Sequence, residues 1–450
     1  MQFTDLGLSQ PVLAALAAKG YAQPTPIQAQ SIPALLEGRD LLGIAQTGTG
    51  KTAAFTLPSI DRLVAANKRP LPRQCRMLVL APTRELAAQI AESARGYSKG
   101  SRLSVVTVFG GTSLHKNRQD LSKGVDILVA TPGRMLDLID EGHLSLSAVE
   151  IFVLDEADQM MDLGFIHALK RVVRLLPKKR QSLFFSATMP KSIRDLAEQF
   201  IDNPVEVKVT PVATTAERVE QQVIFVNQIE KQALLTMALM QLKIDRALIF
   251  TRTKHGADKV VKLLAANGIA ANAIHGNKSQ PQRERALGQF RTGEVRILVA
   301  TDIAARGIDV SGVSHVFNFE LPNVPEQYVH RIGRTARAGN DGIAISFCAP
   351  DERAYLKDIE KLTRQKVAVR SLPENFEAEA AKLVKARVAV PVSRDEANGR
   401  NGRAMQRGGG QPRGDGEQPR RHFPAKKRFS ARPAGGGGGG GQRSAGGRGR

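Results

Sequence analysis

The sequence predicts an α/β protein with two parallel-sheet lobes in tandem, followed by a disordered, basic tail rich in Gly and Arg. Three observations carry this. Short apolar runs alternate with helical stretches over most of residues 1–365, and each run ends in a small or polar cluster. The series restarts after TPVATTAE (210–217), which has no strong periodicity and reads as a linker. The composition then changes near residue 394. The expected boundaries are 1–209 for the first lobe, 210–217 for the linker, 218–370 for the second lobe and 371–450 for a C-terminal extension.

The first series begins with LLGI (41–44), which runs into AQTGTGKT. MLVL (77–80) leads to APTREL, VVTVF (105–109) to GGT and DILVA (126–130) to TPGR. IFVL (151–154) precedes DEAD, and SLFF (182–185) precedes SAT. Strands that are apolar throughout belong to a parallel sheet covered by helices on both faces. Ligands of such sheets gather at the carboxyl ends of the strands, so all six clusters should line one edge. The second series is VIFV (223–226), ALIF (247–250), ILVA (297–300), HVFNF (315–319) and GIAISF (342–347). It contains no Gly-Lys-Thr loop: ALIF continues as TRTKHG. Two sheets with one phosphate loop predict that the second lobe completes the site from across a cleft.

Composition narrows the partners. The 450 residues carry 65 Lys+Arg against 43 Asp+Glu, a net charge of +22, which predicts a polyanionic partner, nucleic acid above all. From Arg394 to Arg450, fourteen basic residues face four acidic ones, and the glycine run 435–441 lies here. Such a segment buries too little apolar surface to offset its ordering entropy. It should add affinity without specificity, with log K falling against log salt at a slope of about −4 for six neutralised phosphates. Lys426–Arg428 reads as part of this patch. The two cysteines, Cys75 and Cys348, form no disulfide framework and no zinc spacing. No apolar run reaches the ~18 residues that span a membrane, and MQFTDLGLSQ has no signal-peptide core. The expectation is a soluble, cytoplasmic protein with no membrane partner.

Two clusters carry the chemistry. Ala45, Gln46, Thr47, Gly48, Thr49, Gly50, Lys51 and Thr52 stand between a strand and a helix, the setting of a phosphate loop. Gly48 and Gly50 let backbone N–H groups point at phosphate oxygens, Lys51 reaches the β- and γ-phosphates, and the Thr52 hydroxyl ligates Mg²⁺. Ala45 stands where the general pattern has its first glycine. Asp155 and Glu156 follow an apolar strand. The first acid is placed to hold Mg²⁺, the second to orient or deprotonate the attacking water.

With these blocks in order, the chain resembles a DEAD-box RNA helicase, closest to the bacterial RhlE-like subgroup, over roughly residues 1–365. The resemblance implies two RecA-like lobes, ATP and Mg²⁺ as cofactors, and RNA-stimulated ATP hydrolysis coupled to local duplex unwinding. GYAQPTPIQ (20–28) resembles the family's Q motif, with Phe3 upstream. There Gln28 would read the adenine edge through both amide groups, and Phe3 would stack on the ring. Pro82, Thr83 and Arg84, Gly110 with Gly111, and Thr131, Pro132, Gly133 and Arg134 resemble backbone contacts to RNA. On the residues alone they also read as ordinary βα loops. Ser186 and Thr188 resemble the segment that couples hydrolysis to strand separation, together with Asp158. Their plain reading is a helix N-cap.

In the second lobe, QRER (282–285) resembles a further RNA contact through Arg285, and otherwise reads as a solvated helix face. Thr301-Asp302 and RGID (306–309) resemble the block that touches RNA and the ATP ribose, with Thr301 on RNA and Asp309 on the ribose hydroxyl. HRIGRTAR (330–337) makes Arg334 and Arg337 arginine fingers to the γ-phosphate, and His330 a link between DEAD and SAT. If helical, the three would share one face at i, i+4 and i+7. The family usually has glycine where this chain has Ala336, a better helix former that adds one methyl. The expected partner is RNA, single-stranded or a short duplex, contacted through its backbone, since aromatics are 5% and Trp is absent. Ribosomal precursors and the RNA-decay machinery are the wider partners this implies. An ATP-gated RNA clamp or annealing chaperone would carry the same motifs.

Overall fold

The computed structural model describes residues 1–46, 48–209, 219–305, 310, 312–336 and 342–389. Thr47, the 210–217 linker, Arg306 to Asp309, Arg337 and the basic tail from 390 lie outside the described residues.

The first sheet contains β1 (Leu41–Ile44), β2 (Cys75–Leu80), β3 (Val105–Val108), β4 (Val125–Ala130), β5 (Ile151–Leu154), β6 (Gln181–Ser186) and β7 (Val205–Lys208). The described strands run in the order β3-β4-β2-β5-β6-β1-β7, and every paired neighbour is parallel. Alternation sends successive side chains to opposite faces. Leu41, Val79, Val153 and Leu183 pack with Phe55, Ile60 and Ile90 on one face. Leu42, Leu80, Phe152 and Phe184 pack with Met135, Met160 and Leu196 on the other. Burying both faces is why these runs show no polar alternation. Each fully buried Leu or Phe contributes roughly 1.5–3 kcal/mol.

The strand order decides which clusters meet. At the carboxyl edge, Gly110-Gly111, Thr131–Arg134, Pro82–Arg84, Asp155-Glu156, Ser186–Thr188 and then Ala45, Gln46 and Gly48–Thr52 follow one another across the sheet. The expected RNA contacts occupy one side and the phosphate loop the other, with the acidic pair between them.

The second sheet holds β8 (Val219–Phe225), β9 (Ala247–Thr251), β10 (Asn272–Ile274), β11 (Ile297–Thr301), β12 (His315–Asn318), β13 (Gly342–Cys348) and β14 (Ala368–Val369). Its described order, β10-β11-β9-β12-β13-β8-β14, repeats that of the first sheet strand for strand. Beyond it, the helix Phe376–Ala389 buries Phe376 and Ala380 in the same core as Ile224, Leu234 and Phe347. The C-terminal extension therefore begins as part of the second lobe's packing.

The condition set for a face shared by His330, Arg334 and Arg337 is not met. The helix Pro325–Ile332 ends at Gly333, so Arg334 stands in the following turn and the shared face with His330 does not form. Ala336 has φ +52, in the left-handed region. Its helix propensity is therefore irrelevant here. The family's glycine suits this backbone, and alanine is strained in it.

Candidate functional site

A cavity of about 520 Å³ opens where the phosphate loop, the N-terminal segment, the helix Arg84–Tyr97 and Arg334 of the second lobe converge. Phe3, Tyr21, Gln23 and Gln28 line one part of it, and Gly48, Gly50, Lys51 and Thr52 another. The volume lies within the usual 300–1,000 Å³ of small-molecule sites.

The loop is built for an anion. Gly50 caps the helix Lys51–Ala66 with φ +94, and Gly48 has φ +84. The first turn of that helix points unpaired N–H groups and the positive end of its dipole into the cavity. A Cβ on Gly50 would lie 2.4 Å from Gln28 Nε2, so only glycine lets the loop and Gln28 approach this closely. The Gln28 Nε2 donates to Gly50 O at 3.1 Å, and its Oε1 accepts from Thr25 N–H at 2.9 Å. Lys51 is buried, donates to Ala45 O at 3.0 Å, and stands 4.0 Å from Asp155 Oδ1. Ala45 is itself buried, and its N–H donates to Ser186 O. The departure from glycine thus falls on the end of the β1–β6 pairing.

Asp155 and Glu156 are each 2% exposed. Asp155 Oδ1 and Glu156 Oε2 are buried without a hydrogen-bond partner. Burial raises the Asp155 carboxyl, with Lys51 opposing. Burial likewise pushes Glu156 up to about 7, against the pull of Lys51 and Arg334. Desolvation thus outweighs the attraction of the neighbouring cations at both acids. Glu156 also has φ +55, a left-handed backbone uncommon outside glycine, and such strain clusters at functional positions. Asp158 is fully engaged. Its Oδ2 accepts from Ala187 N–H at 3.1 Å, Thr188 N–H at 3.0 Å and Thr188 Oγ1 at 3.1 Å. The DEAD and SAT segments are thus one hydrogen-bonded unit. Ser186 Oγ closes it by donating to Thr188 O at 2.7 Å.

The second lobe reaches this site through Arg334, which is 5% exposed and lines the cavity with Lys51, Asp155 and Glu156. Its Nε donates to His330 O at 3.2 Å. The turn is anchored by Arg331, 1% exposed, whose Nε and Nη2 grip Asp302 at 2.5 and 2.7 Å. Its Nη1 donates to Asn318 Oδ1 and Glu320 O. A second bridge joins the lobes: Arg283 Nε lies 2.7 Å from Glu85 Oε1, both buried.

The expected RNA contacts of the first lobe also converge. Arg84 lies over the double glycine, since a Cβ on Gly111 would meet Arg84 Nη1 at 2.6 Å. Arg134 Nη1 donates to Thr112 O at 3.1 Å. The Arg84 pKa is lowered, by burial first and then by Arg283, with Arg134 adding to it. This is cationic crowding that a phosphate would relieve. Arg285 is exposed, and its neighbour Arg283 makes the contact across the lobes. Thr301 ends β11 and is half-buried.

Sequence reasoning missed Arg283, Arg331 and the cavity wall formed by Leu86, Gln89, Ser93 and Tyr97. That wall was visible as one helical stripe, at spacings of three, four and four residues. The Arg283–Glu85 and Arg331–Asp302 pairs join distant segments and have no local signal.

The profile of the DEAD/DEAH box helicase family matches residues 25–196, and that of the helicase conserved C-terminal domain matches residues 229–339. The RNA helicase CrhR of Synechocystis is 42% identical over 384 residues, covering 85% of this chain and 77% of the relative. The DEAD-box ATP-dependent RNA helicase CshA of Geobacillus kaustophilus is 43% identical over 365 residues, covering 81% and 77%. Among solved structures, S. cerevisiae Dbp5 bound to RNA and ADP BeF3 superimposes with a TM-score of 0.73 at 31% identity, covering 86% of this chain and 99% of that one. With the phosphate loop, the acidic pair and a second-lobe arginine in one cavity, and with relatives of this extent, the chain belongs to the DEAD-box ATP-dependent RNA helicases.

Proposed function

We propose that this enzyme hydrolyses ATP in the cavity between its lobes only when RNA holds the lobes closed, and that closure locally separates RNA strands. The observation that carries this reading is Arg334. A second-lobe guanidinium lines the same cavity as Lys51, Asp155 and Glu156, so the complete site exists only when the lobes meet. RNA spanning Arg84, Gly111 and Arg134 on one lobe and Arg285 and Thr301 on the other would favour that arrangement.

Each residue then has a task. Gly48, Gly50 and Lys51 hold the phosphates, with Gln46, Thr47 and Thr49 completing the loop. Phe3 and Gln28 hold the base, and Asp309 the ribose. Glu156 takes the proton of the attacking water, which a group titrating near 7 does well at neutral pH. Arg334 and Arg337 stabilise charge on the transferred phosphoryl. Fingers of this kind contribute roughly 10³–10⁵ in rate, or about 4–7 kcal/mol. Asp158, Ser186, Thr188 and His330 relay the state of the site to the RNA side. Thr52 and Asp155 would hold Mg²⁺. The unpaired carboxylate oxygen of Asp155 suits it, and among the described residues no cluster of three or more His, Cys, Asp and Glu stands ready to bind a metal alone. That is the pattern of an ion held jointly with substrate phosphates, where it neutralises developing charge when bound.

Cytoplasmic location, an RhlE-like subgroup suggested by the short second-lobe connections, and a role with ribosomal precursors or RNA decay belong to the same proposal. Among the described residues no helix is long and apolar enough to cross a membrane. The relatives named above are called helicases, and nothing in the site favours the clamp or annealing reading over unwinding. The test is Glu156→Gln and Arg334→Ala in RNA-stimulated ATPase and duplex-unwinding assays. Glu156→Gln should keep ATP and RNA binding and lose turnover. A substantial residual kcat, or ATPase in the unmodified enzyme that ignores RNA, would overturn the reading.

A further inference from the structure

Residues 163–194 of the first lobe contain eight Lys and Arg and no Asp or Glu. The run includes the helix Ile166–Leu175. Leu169, Val172 and Leu176 hold it in the same core as Met135 and Leu138. His167, Lys170, Arg171 and Arg174 fall at i, i+3, i+4 and i+7, on one face, and all four are exposed. Lys178 and Lys179, also exposed, follow in the short segment after the helix. Arg174 suits the negative end of the helix dipole. Nothing in the packing asks for Lys170, Lys178 or Lys179.

The acids alongside are already engaged. The helix Pro132–Asp140 packs beside the basic one, and Asp140 Oδ2 accepts from Arg171 Nη1 at 3.0 Å. Asp137 pairs with Arg134 at 3.5 Å, and Glu141 with Arg118 at 2.9 Å. Among the described residues, Lys170, Arg174, Lys178 and Lys179 form no ion pair. The position of this face bears on its partner. The helix Pro132–Asp140 starts at the Thr131–Arg134 cluster, on the edge where the expected RNA contacts stand. Asp140, where the basic helix is tied on, lies only about 12 Å from Pro132 at 1.5 Å per residue. RNA running past Arg134 would meet the basic face within a few nucleotides. A stripe of unpaired cations binds a phosphate backbone through counterion release and needs no base contact. We propose that Lys170, Arg174, Lys178 and Lys179 form an accessory RNA-backbone site on the first lobe, which holds RNA flanking the stretch bound between the lobes. This rests on the RNA path proposed above.

The experiment uses full-length proteins, a non-hydrolysable ATP analogue and two single-stranded RNAs. One RNA is sized to the path between the lobes, and the other is several times longer. One variant combines Lys170→Glu, Arg174→Glu, Lys178→Glu and Lys179→Glu, and a second carries Gln at the same four positions. A control combines Lys243→Glu, Lys357→Glu, Lys361→Glu and Lys366→Glu at exposed second-lobe positions, with the same change in charge. At low salt the first variant should bind the long RNA at least about tenfold more weakly, with a salt slope smaller by about 3, at 0.7 per phosphate. The Gln variant should fall between it and the unmodified enzyme. Affinity for the short RNA, and the control's affinity for the long one, should each change by about twofold at most. Long-RNA affinity and slope equal to those of the unmodified enzyme, equal losses on short and long RNA, or a loss of the same size in the control would overturn the proposal. An unmodified enzyme that fails to bind the short RNA would instead sink the RNA path on which it rests.

Discussion

Glu156 should destabilise the nucleotide-free protein at neutral pH, and Glu156→Gln should relieve it. The carboxyl is fully buried, and its pKa rises from an ordinary 4.5 to about 7, by desolvation first, with Asp155 adding and Lys51 and Arg334 opposing. For an acid with a raised folded-state pKa, the sign runs against folding as pH increases. Below pH 4.5 both states are protonated and the group contributes nothing. Between 4.5 and 7 the unfolded chain releases its proton first, and stability falls. Above 7 the whole cost is present. A displacement from 4.5 to about 7 corresponds to about 3 kcal/mol. At pH 5.5 the cost is about 1 kcal/mol, so the advantage of Gln should grow by about 2 kcal/mol between pH 5.5 and pH 8. For a lobe of this size that is about 4–8 °C in melting temperature. Thermal denaturation of both proteins, without nucleotide and with EDTA, reads the difference at the two pH values. Gln keeps the backbone strain at φ +55, so strain cancels in the comparison. A variant whose advantage is independent of pH, or that melts lower at pH 8 than the unmodified protein, would refute the claim that this carboxylate is held against a desolvation cost.

Other residues yield sharper functional contrasts. Arg283→Met leaves Glu85 buried and unpaired across the lobes, and should lower RNA-stimulated kcat at least tenfold. Glu85→Leu combined with it should recover part of the loss, and a double-mutant cycle with no coupling would discard the bridge as a closure contact. Asp158→Asn weakens the acceptor of three hydrogen bonds from Ala187 and Thr188. Unwinding should fall more than ATPase, and equal losses in both assays would argue against a coupling role. Ala336→Gly removes left-handed strain worth about 1 kcal/mol while loosening the unfolded chain by a similar amount, whereas Ala336→Val should cost more than about 1 kcal/mol. Denaturant melts that rank Val at or above Ala would contradict the observed backbone.

How much could be read in the sequence depended on how local each signal was. The eleven apolar runs were legible because short continuous apolar runs ending in small or polar clusters read as strands of a covered parallel sheet. β7, β10 and β14 were not, being edge or near-edge strands of two to four residues. The phosphate-loop pattern was legible because glycine, lysine and threonine stand at fixed spacing, and Gly48, Gly50, Lys51 and Thr52 line one cavity. The turn at Arg334 was not legible, because His330, Arg334 and Arg337 have helical spacing, while Gly333 ends the helix and Gly342 crowds the turn. A Cβ on Gly342 would lie 2.3 Å from Thr335 Oγ1 and 2.6 Å from Ala336 N. That close approach comes from a strand packing against a loop, which periodicity does not encode.

The repeated strand order places equivalent loops after β1 and β8, and of the two the loop after β1 carries the glycines of a phosphate loop. In the first sheet, β1 leads through Gly48 and Gly50 to Lys51, the first residue of its helix. In the second, the topologically equivalent β8 leads through VNQIE to Lys231, also the first residue of its helix. The lysine is therefore present in both lobes at the same place in the fold. In the second its ammonium is fully buried against Glu352, and its pKa is lowered by desolvation, with Glu352 opposing. Glu352 also accepts from Leu321 and Ala349 N–H groups and pairs with Arg252 at 3.2 Å. Without glycines the β8 loop offers no anion cradle, and with Glu352 in contact the lysine has no charge to spare for a phosphate. What the second lobe contributes to the shared cavity is Arg334, set on a turn rather than a loop of glycines. On the function proposed above, the first lobe would hold the triphosphate and Arg334 of the second would complete the site. The same sheet is built twice, and its helix-starting lysine follows a glycine loop in the first lobe and is paired with Glu352 in the second.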